Sequence, residues 1–404
     1  MGVGDDGGAP ARRRVLLVEE WAHRAEGHFP ILFADLATGF SEMGCTVDVL
    51  VQRGWVHDDD WGRPVPFAIH RYRRLGRMSS RLGGLVGNAS ADTRVGRLSR
   101  ALGSMLRGRV AAREVRALER RLGRHLESVI VTSLQLDPLA VAAFGGRRSW
   151  LVFEYFSPLV RVPIFSGVLA RLARRGEAKR RRSGDRVRVV TAGESTTREW
   201  ADRVPFLEPA TALLAPAGSR NGTAGARERL HLDADDRVAL LFGAGHEFKD
   251  PSVVWRAFSE LDTWRLAVGG SVASILPPTP SAAQFARAPV VNDGHVSARD
   301  RDAYFAAADL VVLSFRPDTA VDSGTLMDAI TWGVPVVCSA RSVAADVVTE
   351  HRLGVLFEPG DEVSLRAAVR AAPSRIAPSD LERARQTLSR SATAARLLGL
   401  LDPD

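Results

Sequence analysis

Short apolar runs alternate with longer segments of helical periodicity along most of this chain. Residues 15–18 form the first run, 31–43 carry apolar side chains at helix spacing, and 46–51 form the next run. Strand, helix and strand at that distance make a βαβ unit, which commits the strands to a parallel sheet. A basic helix over about 110–126, a strand at 128–132, a helix at 138–144 and strands at 150–153 and 186–191 extend the pattern into a doubly wound half. Within this half, 71–104 is rich in Gly, Arg and Ser with little periodic apolar signal, and it reads as a mobile surface insertion. Residues 171–188 read as a solvated basic loop.

The stretch 208–226, with two Pro and three Gly, is the best linker candidate. A second alternation then begins, with strands at 238–242, 265–268, 290–292, 310–313 and 335–338 and helices at 251–261, 298–308, 323–332 and 343–350. A last helix over 379–400 is expected to pack back across the first domain. The expected fold class is α/β, with two Rossmann-like doubly wound domains facing a cleft. The expected boundaries are 1–210 for the first domain, 211–226 for the linker, 227–378 for the second domain and 379–404 for the crossover helix and tail.

Composition agrees with that picture. The 404 residues exceed one ordinary core, and 45% hydrophobic with 25% charged residues is the make-up of a folded soluble protein. No apolar run approaches the roughly 18–20 residues that span a bilayer, and the first residues lack the apolar centre of a signal peptide. A cytoplasmic location is expected. Cys45 and Cys338 both sit in apolar runs, so buried thiols are expected rather than a disulfide framework or a Cys-based metal site.

Charge is uneven. Residues 1–210 hold 35 Lys+Arg against 23 Asp+Glu, and 211–404 hold 20 against 24, giving +12 and −4. The basic half suits an anionic partner: a membrane surface, which makes peripheral contact with the inner face an expectation, or a phosphorylated acceptor. Nucleic acid is not expected, because the basic residues are not interleaved with exposed aromatics and no recognition motif appears.

The richest segment is VDSGTLMDAITWGVPVV, residues 321–337. A loop after a strand opens into a helix at Ser323, Gly324 and Thr325, where free amides and the positive helix end favour an anion. Asp328 follows one turn later, within reach of ribose hydroxyls. The plainer alternative makes Ser323 an N-cap and Asp328 an exposed helix residue. In FGAGHEFKDP, residues 242–251, a strand ends in a Gly-rich loop that sets Gly245, His246 and Lys249 before a helix. Lys249 is one of two lysines, with Lys179, in a chain that otherwise writes its positive charge as Arg. A compact ammonium there is the usual point charge for a phosphate.

With these pieces in place, residues 227–370 resemble the retaining family-4 glycosyltransferases of the GT-B fold. The matching segments run in order: RERLHLDADDRVALLFGAGHEFKD, WRLAVGG, VNDGHVSARDRDAYFAAADLVVLSF, SGTLMDAITWGVPVV and EHRLGVLFEPGDEVSLRAAV. The resemblance implies a nucleoside-diphosphate sugar, UDP- or GDP-linked, held mainly by the second domain and no further cofactor. By carry-over Lys249, a catalytic candidate, neutralises the diphosphate, and Ser323, Gly324 and Thr325 cradle it. Asp328 binds ribose, Gly294, His295 and Val296 meet the base, and Gly245 and His246 belong to the donor loop. The chain departs from the family where the first of two glutamates is expected. That register holds Ala320, which leaves Asp318 or Asp322 as substitutes.

The first half resembles the family more loosely. Glu26, Gly27 and His28 lie in the loop before the first helix, with Gly27 facing the donor, Glu26 and His28 facing the acceptor, and His28 a second catalytic candidate. Glu194 and Ser195, after the last strand of this half, and the aromatics Trp21, Trp55 and Trp61 are further acceptor-side candidates. The expected partners are the donor and a glycan, lipid-linked or small-molecule acceptor. The expected reaction is metal-independent sugar transfer with retention, in natural-product or cell-surface glycan synthesis. The alternatives are a nucleotide-sugar epimerase, an inverting transferase, or a non-catalytic nucleotide-sugar-binding protein.

Overall fold

The structure is a computed structural model, and it describes residues 13–19, 29–51, 67–72, 94–132, 148–154, 168–182, 184, 186–191, 193–204, 208–212, 225–246, 248–276, 285–294, 296–317 and 323–402. Two parallel sheets organise the chain. The first contains β1 (Arg14–Glu19), β2 (Thr46–Val51), β3 (Ala68–Arg71), β4 (Ser128–Val131), β5 (Ser149–Glu154), β6 (Arg186–Thr191) and β7 (Glu208–Thr211), in the order β3-β2-β1-β4-β5-β6-β7. The second contains β8 (Arg237–Phe242), β9 (Trp264–Gly269), β10 (Val290–Asn292), β11 (Leu310–Leu313), β12 (Val336–Ser339) and β13 (Gly354–Phe357), in the order β10-β9-β8-β11-β12-β13. Both orders reverse beside the first strand, at β1/β4 and at β8/β11, and crevices beyond the carboxyl ends of strands at such points hold ligands in open α/β sheets.

Period-2 burial explains the layering. In β1, Leu16 and Val18 face one side of the sheet while Val15 and Leu17 face the other. The first side is covered by α2 (Arg94–Leu122), through Ala111, Val115 and Leu118, and by Trp200 of α4 (Glu194–Arg203). The opposite side is covered by α1 (Phe29–Glu42), through Phe33, Leu36 and Phe40. In the second sheet Val238 and Leu240 of β8 alternate with Ala239 and Leu241. Three helices, α7 (Ala298–Ala307), α8 (Gly324–Trp332) and α9 (Val343–Glu350), cover one face, while α6 (Pro251–Phe258) and α10 (Glu362–Ala371) cover the other. A short helix, α5 (Ala226–Arg229), precedes β8. Each fully buried Leu, Val or Phe in these layers contributes roughly 1.5–3 kcal/mol.

Four segments differ from the sequence reading. The later part of the supposed insertion, from Arg94 onward, is the start of α2, because a run of Arg, Leu and Ala propagates a helix once begun. The supposed basic loop is α3 (Val168–Arg182), whose buried Glu177 pairs with Arg180 and Arg181 at i+3 and i+4. The start of the supposed linker is β7, an edge strand, where Pro209 costs no ladder bond. The single last helix is two, α11 (Pro378–Thr387) and α12 (Arg390–Leu401), because Ser389 caps a new helix by accepting from the Ala392 amide. Residues 73–93 and the expected helix at 138–144 lie outside the described residues.

The break between α11 and α12 is where the chain changes domain. Ala384 and Leu388 belong to the second domain's core, whereas Ala394, Leu397 and Leu401 complete the first domain's core against Phe33 and Phe40. Gly39 makes the helices' close approach: a Cβ there would stand 2.7 Å from the Arg390 carbonyl oxygen. Arg390 also forms ion pairs with Glu42 and Asp35 of α1. At α11, Arg385 donates to the Ile330 and Thr331 carbonyls, capping the C-terminal end of α8. The domains touch again at Gly193, at φ +76, where an added Cβ would lie 2.9 Å from Val343. Both cysteines are buried, and burial pushes the Cys338 thiol up to about 12. No described helix is long and apolar enough to cross a membrane, and no metal-binding cluster occurs among the described residues.

Candidate functional site

The loop that leaves β8 turns at Gly243, held at φ +113, a conformation that favours glycine. There the absent Cβ makes room: it would lie 2.8 Å from Lys249 Nζ and 3.4 Å from Thr325 Oγ1. Lys249 Nζ donates to the Phe242 carbonyl at 3.1 Å, and Thr325 Oγ1 donates to the same carbonyl at 3.4 Å. A loop and the first turn of a helix, far apart in sequence, are thereby joined at the end of one strand.

The lysine is held from behind as well. Its amide donates to the His246 carbonyl, Asp250 exchanges hydrogen bonds with Ser314, and the Arg316 amide donates to the Phe248 carbonyl. These contacts lace the Gly-rich loop to the segment after β11. Burial lowers the Lys249 pKa from 10.5 to about 8. One of its three N–H groups is used on the Phe242 carbonyl, which leaves two donors for an anion.

Gly245 is fixed by its amide donating to Ser271 Oγ, and a Cβ there would sit 2.5 Å from the Ser271 carbonyl oxygen. His246 is exposed and stacks on Phe248 with ring centroids 4.9 Å apart. Gly294 is held at φ +114, with no described atom within 4 Å of where a Cβ would sit, while Val296 packs against the core.

Opposite the lysine, α8 begins. Ser323 caps it, its Oγ accepting from the Leu326 amide at 3.2 Å, so this side chain is engaged within the helix. The amides of Gly324 and Thr325 precede the first intrahelical bond and, with the helix dipole, form an anion-attracting end. One turn on, Asp328 is largely buried, and burial raises its carboxyl to about 6. Arg301 of α7, at 4.0 Å, opposes that rise, and the neighbouring Asp302 adds to it. A carboxylate deep in a site with a nearby guanidinium is suited to accepting hydrogen bonds from sugar hydroxyls.

The structure thus brings Lys249, Thr325, Gly243 and the α8 end together, with Asp328 farther along the helix. Glu194 stands exposed in the first turn of α4, near the domain contact at Val343. There its charge, after burial, raises the carboxyl of Asp346 on α9. Glu26, Gly27, His28, Trp21, Trp55, Trp61, His295, Asp318, Ala320 and Asp322 lie outside the described residues, as does the side chain of Ser195. Sequence reasoning missed Gly243, Arg301 and Ser271. Gly243 was visible as part of a Gly-rich loop, whereas Arg301 and Ser271 meet the site only through tertiary packing.

Residues 236–373 match a family described as Glycosyl transferases group 1. No curated protein matches the chain. Among solved structures, the chain is similar to sucrose-phosphate synthase from Thermosynechococcus elongatus, with a TM-score of 0.63, 16% identity, and 96% of this chain and 98% of that one covered. It is similar to the trehalose-6-phosphate synthase OtsA, with a TM-score of 0.68, 10% identity, and 96% and 98% covered. A third likeness is to Anabaena HepE, solved in complex with UDP and glucose, with a TM-score of 0.60, 12% identity, and 96% and 99% covered.

Proposed function

We propose that this chain, a GT-B protein whose residues 236–373 form a glycosyl transferases group 1 domain, moves a sugar from a nucleoside-diphosphate donor to an acceptor hydroxyl. The observation that carries the proposal is the convergence of Lys249 Nζ and Thr325 Oγ1 on the Phe242 carbonyl, beside Gly243 and the N-terminus of α8. One ammonium with two free N–H groups and two helix amides, beside a gap that only glycine leaves open, suit a diphosphate.

In this reading the bond from the anomeric carbon to the diphosphate oxygen breaks while the acceptor oxygen bonds to the same face. The acceptor's proton passes to the departing phosphate oxygen, and configuration is retained. Lys249 and the α8 amides stabilise the negative charge as it grows on the leaving group, the role of fixed dipoles in a site shielded from water. Asp328, kept ionised by Arg301, accepts from the ribose. Gly294, His295 and Val296 border the base, Gly245, His246, Gly27 and Asp322 complete the donor side, and Glu26, His28, Trp55 and Glu194 belong to the acceptor side. No metal is required, because the ammonium and the helix end supply the positive charge. The exposed Arg171, Arg174, Arg175 and Arg182 of α3 give the first half a basic face for a phosphorylated acceptor or an acidic membrane surface.

The test is a panel of UDP- and GDP-sugars against the purified chain. Thermal stabilisation by at least one donor, lost in Lys249→Ala, together with slow metal-independent release of the nucleoside diphosphate, is the expected result. Absence of stabilisation by any donor would refute the reading.

A further inference from the structure

At the N-terminal ends of β4 and β5, opposite the loops that follow the strands, lies a cluster of arginines that the transfer reaction does not use. Arg148 immediately precedes β5, and its side chain is only 2% exposed. Its guanidinium lies 5.5 Å from the centroid of the Trp150 ring, and its Nη2 donates to Glu119 Oε2 at 2.8 Å. Its Nε and Nη1 are buried and have no hydrogen-bond partner among the described residues.

Glu119 is already engaged through both oxygens. Besides Arg148, it accepts from the Leu126 amide at 2.9 Å and pairs with His125 Nδ1 at 2.8 Å. Around it α2 presents more positive charge. Arg116 is half-buried, and Arg113 and Arg120 stand exposed at i−3 and i+4 on the same helix face. Burial, and then the charges of Arg148, Arg113 and Arg120, push the Arg116 pKa down, with Glu119 pulling the other way.

Like charges at i, i+3 and i+4 weaken a helix, and a buried guanidinium with orphaned donors costs more than one fully paired. The arrangement becomes favourable when an anion with several acceptor oxygens joins it. Phosphate matches the forked, planar donors of arginine, and Arg113, Arg116 and Arg120 on one helix face, with Arg148 close enough for its charge to act on Arg116, offer several of them.

We propose that this edge of the first domain is a second anion site, in which Arg148 and Arg116, flanked by Arg113 and Arg120, bind an oxyanion of the phosphate class. The site is separate from the cleft and does not depend on the proposed transfer activity.

The experiment is thermal unfolding of the full chain in inorganic phosphate against sodium chloride at equal ionic strength, for wild type, Lys249→Ala, Arg116→Gln and Arg148→Met. Lys249→Ala removes the contribution of the cleft. Phosphate at about ten times its Kd should raise the Tm of wild type and Lys249→Ala by roughly 2–4 °C over chloride. That rise should vanish in Arg116→Gln. Without phosphate, Arg116→Gln should melt no lower than wild type, since it relieves repulsion, whereas a purely structural arginine would melt lower. Arg148→Met, if it folds, should also lose the phosphate response. An equal rise in Arg116→Gln, or no rise beyond chloride in wild type, would overturn the site. Phosphatidic acid vesicles provide the second arm. Sedimentation with them, but not with phosphatidylcholine vesicles, and only when Arg116 is intact, identifies a lipid headgroup as the source. The phosphate response without sedimentation identifies the free ion.

Discussion

Replacing Lys249 by Ala should cost the protein turnover without costing it stability. Its pKa falls from 10.5 to about 8 on burial, and a difference of that size corresponds to about 3 kcal/mol spent at neutral pH on keeping the ammonium charged in the folded state. Ala relieves that cost and loses one hydrogen bond and the packing of the side-chain stem. The Phe242 carbonyl keeps Thr325 as a donor. The two effects are of similar size, so the Tm at pH 7 should stay within a few degrees of wild type. Turnover should fall roughly 30- to 1000-fold, equivalent to about 2–4 kcal/mol of lost transition-state stabilisation. The pH dependence carries a second sign. Between pH 8 and 10.5 the unfolded chain holds a proton on this lysine that the folded chain has released, so wild-type stability should rise with pH over that window relative to Lys249→Ala. Below pH 8 both states carry the charge and the burial cost is present in full. Donor affinity should move the opposite way and decline above pH 8, as the ammonium that meets the diphosphate is lost. Lys249→Arg should rescue little, since Nζ already stands 2.8 Å from the point a Gly243 Cβ would occupy and a planar fork needs more room. Initial rates with a productive donor and acceptor, beside melting curves from pH 6.5 to 10, decide the matter. Near-normal turnover in Lys249→Ala, or a Tm lowered by more than about 10 °C, would refute the reasoning.

Three further outcomes are expected. Asp328→Asn should weaken donor binding by about 1.5–3 kcal/mol in calorimetry and remove a rise in affinity as pH increases through about 6, where the wild-type carboxyl ionises; an unchanged titration would make it a packing residue. Gly243→Ala should abolish donor-induced stabilisation, because the new methyl strains a backbone at φ +113 and intrudes on Lys249 and Thr325, and an unaltered shift on adding donor would contradict this. Gly39→Ala should lower stability in urea by about 1–3 kcal/mol by forcing α12 from α1, while activity per folded molecule is kept; a neutral effect would mean that the helices part without cost.

Much of the second domain was legible because each of its strands is a short, continuous apolar run and its helices announce themselves with capping residues such as Ser297, Ser323 and Ser342. The donor loop could be read because a lysine in an arginine-rich chain and a glycine-rich turn are local signals. The first domain was harder. Its α3 looks like a charge run because the residue that organises it, Glu177, gives no hint in sequence that it is buried. β7 was hidden by Pro209, which is tolerated only because the strand lies at the sheet edge. Arg301 beside Asp328, and Ser271 behind Gly245, could not be found from spacing, since each reaches the site from a different element.

The placement of α12 has a consequence for how the molecule is made. Its apolar residues finish a core whose other contributors are all synthesised by Ala212, and about 180 residues come between. At about 5–20 residues per second, the ribosome needs roughly 10–40 s to produce the missing helix. Throughout that interval Phe33, Leu36 and Phe40 on α1 have no α12 to cover them, so the nascent first domain presents an apolar stripe that chaperones can hold. The second domain faces no such wait, because Leu388 and Ala384 arrive as its own last elements. Both cores are therefore closed only by the last two helices of the chain, and the first domain, begun first, waits longest for its final helix.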